Sequence, residues 1–459
     1  MRPTTWGRYT HAVIGVAVLL LVAAVVAVAA LLTTGNSTDA AAAKPTPAAA
    51  TANPGVVPVG VSAPEPTPDR LAAVLAPVLA DPNLGDFTGR ITDAITGSQL
   101  WAKGADVPMQ PASVNKTLTT AAALLTLDRD ARLTTRVFTG DKAGVVVLKG
   151  GGDPTLSAVP RGQDTWYRNA ARISDLADQV LRSGTEPTAV QVDISAYSGP
   201  TMAPGWDPAD IEGGDIAPME AVMLDGGRTQ PVSVESVRST TPALDTGRAL
   251  AIALKVDPRR VTVLPAGLRG GKEIASVQSP PLIERLREMM NASDNVMAES
   301  IGREVAAELD HPQSFDGAVR AVLTALDTAK IDTTGATLFD SSGLSFDDRL
   351  TAETLDEVVN AAAGSAQPDL RPLVDLLPIA GGSGTLSNRY LDTDAGRSAA
   401  GFLRAKTGSL TGTNSLAGII TDASGRVLTF TLISNNAGPT GLIAIDNLAA
   451  TLRSCGCST

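Results

Sequence analysis

The sequence predicts an α/β (α+β) fold: helices flank an antiparallel sheet, and a β-rich section interrupts that domain. Three observations carry this. Amphipathic helical patterns stand at both ends of the globular part. A late hairpin, with Leu416 to Ile420 and Val427 to Ser434 as arms and Asp422 to Gly425 as its turn, supplies antiparallel strands. Between the ends, from about residue 130 to 280, short apolar runs separated by Gly, Pro and Asp turns read as strands.

The elements follow in order. Residues 1–11 carry Arg2 and Arg8, and residues 12–32 (Ala12 to Leu32) are an unbroken uncharged, mostly aliphatic run. That length suits a membrane-spanning anchor, and the flanking charge places the N-terminus in the cytoplasm. Small residues near Ala30 and Ala40 to Ala43 keep a cleaved signal segment open. Either version sends the rest of the chain outside the cytoplasm, to the cell envelope. Residues 33–67, rich in Ala, Pro and Thr, cannot bury enough apolar surface to fold and read as an extended linker.

The first part of the main domain spans 68–135. In Pro68 to Asp81, the residues Leu71, Val74, Leu75, Val78 and Leu79 make one helical stripe. Gly89 to Thr92 and Gln99 to Ala102 form a hairpin, and an apolar helix runs from Thr117 to Leu127. The inserted section spans 136–278. With the neighbouring run Thr134 to Thr139, it offers strands at Val145 to Leu148, Val190 to Ile194, Ala251 to Val256 and Arg260 to Leu264, and one helix, Ile173 to Leu181. The second part, 279–453, is helical from Pro281 through Leu309. A strand carrying Lys406 comes next, then the hairpin and a closing helix with Leu442, Ile445, Leu448, Ala449 and Leu452 on one face. The tail, 454–459, holds the only cysteines, Cys455 and Cys457; with one residue between them it reads as a frayed end.

Composition narrows the chemistry. The net charge is −11, without the clustered Lys and Arg that a nucleic-acid surface needs, so no nucleic-acid partner is expected. The only histidines are His11 and His311, which speaks against a Ser-His-Asp hydrolase. With two cysteines besides, no catalytic metal and no cofactor are expected. Serine chemistry here needs a lysine. In Pro111-Ala-Ser-Val-Asn-Lys116, Ser113 and Lys116 stand at S-x-x-K spacing, one helical turn apart on one face. Ser293-Asp294-Asn295 and Lys406-Thr407-Gly408 follow in that order, whereas Ser434-Asn435-Asn436 lies after Lys406 at a strand end and reads as a turn.

This order resembles the serine penicillin-recognising enzymes, which include D-alanyl-D-alanine peptidases and class A β-lactamases. The resemblance implies a serine transpeptidase/β-lactamase-like catalytic domain. Ser113 would be the nucleophile and Lys116 the general base, which must be neutral; a helix N-terminus and the charge of Lys406 would both lower its pKa. Ser293 would relay a proton to the leaving amine, and Asn295 would hydrogen-bond the substrate backbone. Lys406 and Thr407 would hold a substrate carboxylate, while Gly408 lets the substrate lie along the strand. Backbone N–H groups of Ser113 and Ser409 would form the oxyanion hole.

The long stretch between Ser113 and Ser293 resembles the class C low-molecular-mass penicillin-binding proteins, the D-alanyl-D-alanine carboxypeptidase/endopeptidase family. Further segments are similar: Leu148 to Leu156, Ser279 to Leu282, Ser293 to Glu299, Asp340 to Ser345, Leu377 to Leu386 and Lys406 to Leu410. In the insert, Trp206 and Asp210 correspond to an aromatic and an acidic residue that line the pocket for the peptide side chain, although Ile211 to Pro218 lacks the expected aromatic pair. A core or turn role for Trp206 stays open, and Asp340 to Ser345 and Gly381 to Leu386 read as turns near the cleft. The resemblance implies a penicillin-inhibited serine carboxypeptidase acting on peptidoglycan stem peptides, with β-lactam antibiotics as mimics of the D-Ala-D-Ala end. A cross-link endopeptidase uses the same residues and remains open. A serine β-lactamase and an inactive cell-wall binding protein on the same fold are the alternatives.

Overall fold

The structure, a computed structural model, describes residues 62–455. The predicted anchor and most of the linker lie outside the described residues. Among the described residues, no helix is long and apolar enough to cross a membrane.

Helix α1 (Pro68–Leu79) begins with proline in its first turn, where a missing N–H breaks no intrahelical bond, and buries Leu71 and Leu75. Strands β1 (Asp86–Asp93) and β2 (Gln99–Lys103) form the first hairpin. A 3₁₀ turn, Ala112–Asn115, leads into α2 (Lys116–Thr126). The middle section holds β3 (Thr134–Thr139), β4 (Val145–Lys149), α3 (Ile173–Arg182), β5 (Ala189–Asp193), α4 (Pro242–Ala253), β6 (Val261–Leu264) and β7 (Glu273–Gln278). Helices α5 (Leu282–Ala292), α6 (Asn295–Glu308), α7 (Phe315–Thr328) and α8 (Ala352–Ala363) follow. Strands β8 (Leu403–Leu410), β9 (Thr413–Thr421) and β10 (Val427–Asn435) and helix α9 (Gly441–Ser454) close the fold.

The strands make two sheets. The first, in the order β2-β1-β10-β9-β8, is antiparallel throughout, so the two ends of the described chain share one sheet. One face buries Phe430, Leu432 and Leu416 against Leu71 and Leu75 of α1 and Ile445 and Leu448 of α9. The other presents Ala417 and Ile433 to a helical layer that includes Leu118, Met289, Ile301 and Leu355. At about 25 cal/mol per Å² of apolar surface, these two-sided contacts dominate the stability of the domain.

The second sheet, β6-β5-β4-β3-β7, is mixed: β3 pairs antiparallel with β4 and β7, while β4, β5 and β6 run parallel. Parallel neighbours need long crossovers, and those connections contain α3 and α4. This corrects the sequence reading of Ala251 to Val256 as a strand. Its first residues end α4, with Leu250 and Ala251 fully buried, and a turn follows. A short apolar run has no period that separates a buried strand from a buried helix end.

The helix predicted from Pro281 through Leu309 is two helices. Ser293 adopts a left-handed conformation (φ 57°) that ends α5, and the Asp294 carboxylate accepts the Met297 N–H at 2.9 Å to cap α6. The tail also differs from the prediction of a frayed end: Cys455 is 1 % exposed, packed into the core beside α9, and disulfide-bonded.

Candidate active site

Ser113 sits in the 3₁₀ turn ahead of α2 rather than in the helix. The turn opens on Ala112, a fully buried non-glycine residue at φ 53°, a costly conformation held by its surroundings. Lys116, the first residue of α2, is fully buried. Its Nζ donates to Ser113 Oγ at 2.8 Å, to Asn295 Oδ1 at 2.6 Å and to the Ser342 carbonyl at 2.8 Å. Burial brings its pKa down to about 8, opposed by the carboxylates of Asp340, Asp294, Glu299 and Asp215. Desolvation is therefore the leading cause, not the helix N-terminus or Lys406 that the sequence suggested. Burial pushes Lys406 well below its ordinary value too, with Lys116 and Arg389 adding repulsion.

Strand β8 brings Lys406 to the same place. Its Nζ donates to Ser293 Oγ at 2.9 Å and to the Thr407 carbonyl at 2.8 Å, and the hydroxyls of Thr407 and Thr385 lie 2.8 Å apart. The observed partner of Ser293 is thus Lys406. Asn295 spends its amide internally: Oδ1 accepts from Lys116 and Nδ2 donates to the Asp215 carbonyl at 3.1 Å. It orients the base while lining the open cleft. Gly408 also has a packing reason. A Cβ there would come within 2.8 Å of the Pro111 carbonyl and 3.0 Å of Ser113 N, so glycine lets β8 close against the nucleophile turn.

These groups border a cleft of about 570 Å³ lined by Ser113, Ser293, Asn295, Thr407, Ser409 and Asp210, among others. Trp206, named with Asp210 as a pocket residue, does not line it. The indole is 8 % exposed, packs edge-on against Phe315 at 5.0 Å, and donates to Asp340 Oδ2 at 2.7 Å. It joins the middle section to the 340–345 turn. Asp215 is the cleft residue that sequence reasoning missed, because an acid in a Gly-Gly-Asp turn carries no motif.

The turn at 340–345 does more than border the cleft. Asp340 accepts backbone N–H groups from Ser342, Gly343 and Ser345, fixing the loop whose Ser342 carbonyl holds Lys116. Glu299 accepts the Ser341 N–H, and burial followed by Asp340 raises its pKa to about 7. The resulting ensemble, a buried amine on a serine hydroxyl with a second buried amine across an open cleft, can activate the serine for attack on a carbonyl.

Residues 71–236 and 230–452 match the family described as D-Ala-D-Ala carboxypeptidase 3 (S13). The chain belongs to that family. It is a serine-type D-Ala-D-Ala carboxypeptidase. Residues 1–58 match a second description, the carboxypeptidase Rv3627c-like N-terminal domain. Among curated family relatives, the chain is 73 % identical to carboxypeptidase DacB of Mycolicibacterium smegmatis, over 100 % of both chains. It is 62 % identical to carboxypeptidase Rv3627c of Mycobacterium tuberculosis, again over 100 % of both. Penicillin binding protein 4 (dacB) of Haemophilus influenzae superposes with a TM-score of 0.68 at 22 % identity, covering 84 % of this chain and 99 % of that one, and so shares the penicillin-recognising fold.

Proposed function

We propose that the chain removes the terminal D-alanine of peptidoglycan stem peptides through an acyl-enzyme on Ser113. The observation that carries this reading is the Lys116 amine, buried, with a pKa near 8, and 2.8 Å from Ser113 Oγ. In its neutral form it takes the Ser113 proton as Oγ attacks the carbonyl carbon. The C–N bond then breaks, a proton returns to the leaving amine through the Lys116 and Ser293 side of the cleft, and D-alanine departs. Water attacks the ester, and Ser113 recovers its proton. Backbone N–H groups of Ser113 and Ser409 hold the oxyanion. A substrate carboxylate beside Lys406 and Thr407 supplies the counter-charge that buried Lys406 lacks.

β-Lactams acylate Ser113 as mimics of the D-Ala-D-Ala end. The test is incubation of the protein with a fluorescent penicillin. Wild type labels and Ser113→Ala does not; an unlabelled wild type or a labelled variant overturns the assignment. We further propose that the protein works outside the cytoplasm, tethered by residues 12–32, a reading supported by the length of that apolar run and by Arg2 and Arg8 ahead of it.

A further inference from the structure

Glu299, at the end of the segment Ser293 to Glu299, takes no part in the bond chemistry of acyl transfer. On α6 it lies one turn beyond Asn295 and one turn before Arg303, and all three are buried. Its Oε1 accepts the Ser341 N–H at 2.9 Å, and its Oε2 lies 3.3 Å from Arg303 Nη1. The turn it holds is aimed at the nucleophile. Three successive carbonyls there accept from residues around the start of α2: Asp340 from Asn115 Nδ2 at 3.2 Å, Ser341 from Thr119 Oγ1 at 2.6 Å and Ser342 from Lys116 Nζ at 2.8 Å. Asp340 ties this turn from within, through the N–H groups of Ser342, Gly343 and Ser345, whereas Glu299 ties it to α6. A Cβ at Gly302 would come within 2.1 Å of Ser341 Oγ, so α6 and the turn pack tightly beside that carboxylate.

Charges face Glu299 from each element around it. Arg303, on its own helix, is covered by the rings of Phe315 and Tyr197, 4.2 and 5.0 Å from its guanidinium carbon. Burial raises the Tyr197 hydroxyl to about 12, so that ring stays neutral. From the turn comes Asp340, and behind it Asp348, whose carboxyl burial pushes well above its ordinary value. From α2 comes the Lys116 amine, which Glu299 favours in its charged form. Burial, then Asp340, lifts Glu299 to about 7, against Arg303 and the hydrogen bonds of Ser342 and Ser341. Glu299 is therefore negative over the range in which Lys116 gives up its proton.

We propose that Glu299 is a positioning residue for the base: its carboxylate fixes the Ser342 carbonyl on Lys116 Nζ, and its charge balances the proton that Nζ takes from Ser113. The proposal rests on the peptidase reading above, in which Lys116 is that base. The bond changes are those already given: the Ser113 O–H bond breaks, Nζ gains the proton and the Oγ–C bond forms. Glu299 touches none of the reacting atoms. It acts through the turn, which helps keep Nζ 2.8 Å from Ser113 Oγ. It also acts through its charge, which counts for more here than in water because no solvent screens a buried pair. The two actions can be separated, since glutamine keeps an acceptor oxygen and removes the charge.

The experiment follows the rate at which fluorescent penicillin acylates the full chain, from about pH 6 to about pH 10. Glu299→Gln should move the inflection of the profile down by about one pH unit, because the Lys116 amine loses a charge that favours its protonated form. Glu299→Ala should in addition lower the plateau by about 10- to 100-fold, because the turn loses its tie to α6, and Glu299→Gln should recover part of that loss. The double variant Glu299→Gln, Arg303→Gln removes the buried pair together and leaves no uncompensated charge to oppose folding; its inflection should move in the same direction. A purely structural role would lower the labelled fraction and leave the profile in place. An inflection that does not move in Glu299→Gln or in the double variant, or a Glu299→Ala protein with the wild-type plateau, overturns the assignment and leaves the peptidase reading standing. A wild-type protein that penicillin does not label overturns both.

Discussion

Lys116 shows how a single side chain sets the working pH. Its pKa near 8 means that the amine is mostly protonated at neutral pH and becomes a competent base as pH rises. The second-order rate of penicillin acylation should therefore increase by roughly tenfold per pH unit below 8 and level off above it. A rate flat from pH 6 to 9 would remove Lys116 as the titrating base. Lys116→Met should lower acylation by about 10²- to 10⁴-fold, measured by stopped-flow with the fluorescent penicillin. Spacing along the sequence singled out Ser113, Lys116, Ser293, Asn295 and Lys406, and the structure brings all five to one cleft. It does not follow that spacing reveals who pairs with whom. That depends on which hydroxyl or amide reaches which buried amine, and Asn295 turned inward to Lys116 while Ser293 turned to Lys406.

At the scale of elements, two joints hold the site. Strand β8 meets the nucleophile turn across Gly408, so Gly408→Ala must displace the Pro111 carbonyl or the Ser415 hydroxyl bonded to it at 2.6 Å. We expect acylation to slow by about 100-fold, the scale of a 1 Å misplacement, while circular dichroism stays native. The second joint is Trp206 on Asp340. Trp206→Phe keeps the edge contact with Phe315 but leaves a buried carboxylate oxygen short of a donor, at about 1–3 kcal/mol in urea denaturation. Unchanged stability would mean that the indole N–H is dispensable. The sequence showed a helix through Ser293 because the apolar stripe continues in phase across it. The break needs a left-handed residue and a capping Asp294, and both are settled by what packs around them.

The whole molecule places its site between two parts of the chain far apart in sequence. β1 and β2 pair with β8 to β10 in one sheet, and the middle section returns to wall the cleft with Asp210 and Asp215. All of these elements lie within residues 62–455. A chain starting at residue 62 should therefore label with fluorescent penicillin at the wild-type rate, whereas the full chain expressed in a bacterial host should sediment with membranes. Full-length protein recovered wholly in the soluble fraction would rule out the tether.

The sequence by itself determined the reaction class and the general architecture. Few histidines, a serine three residues ahead of a lysine, and two further motifs in order leave little other chemistry, and periods of two and 3.6 residues follow from backbone geometry alone. Tertiary structure decided the rest: that burial poises Lys116, that Gly408 serves packing and that Trp206 is a brace. Each of these depends on desolvation or on contacts between residues more than a hundred positions apart, and neither leaves a local pattern in the chain.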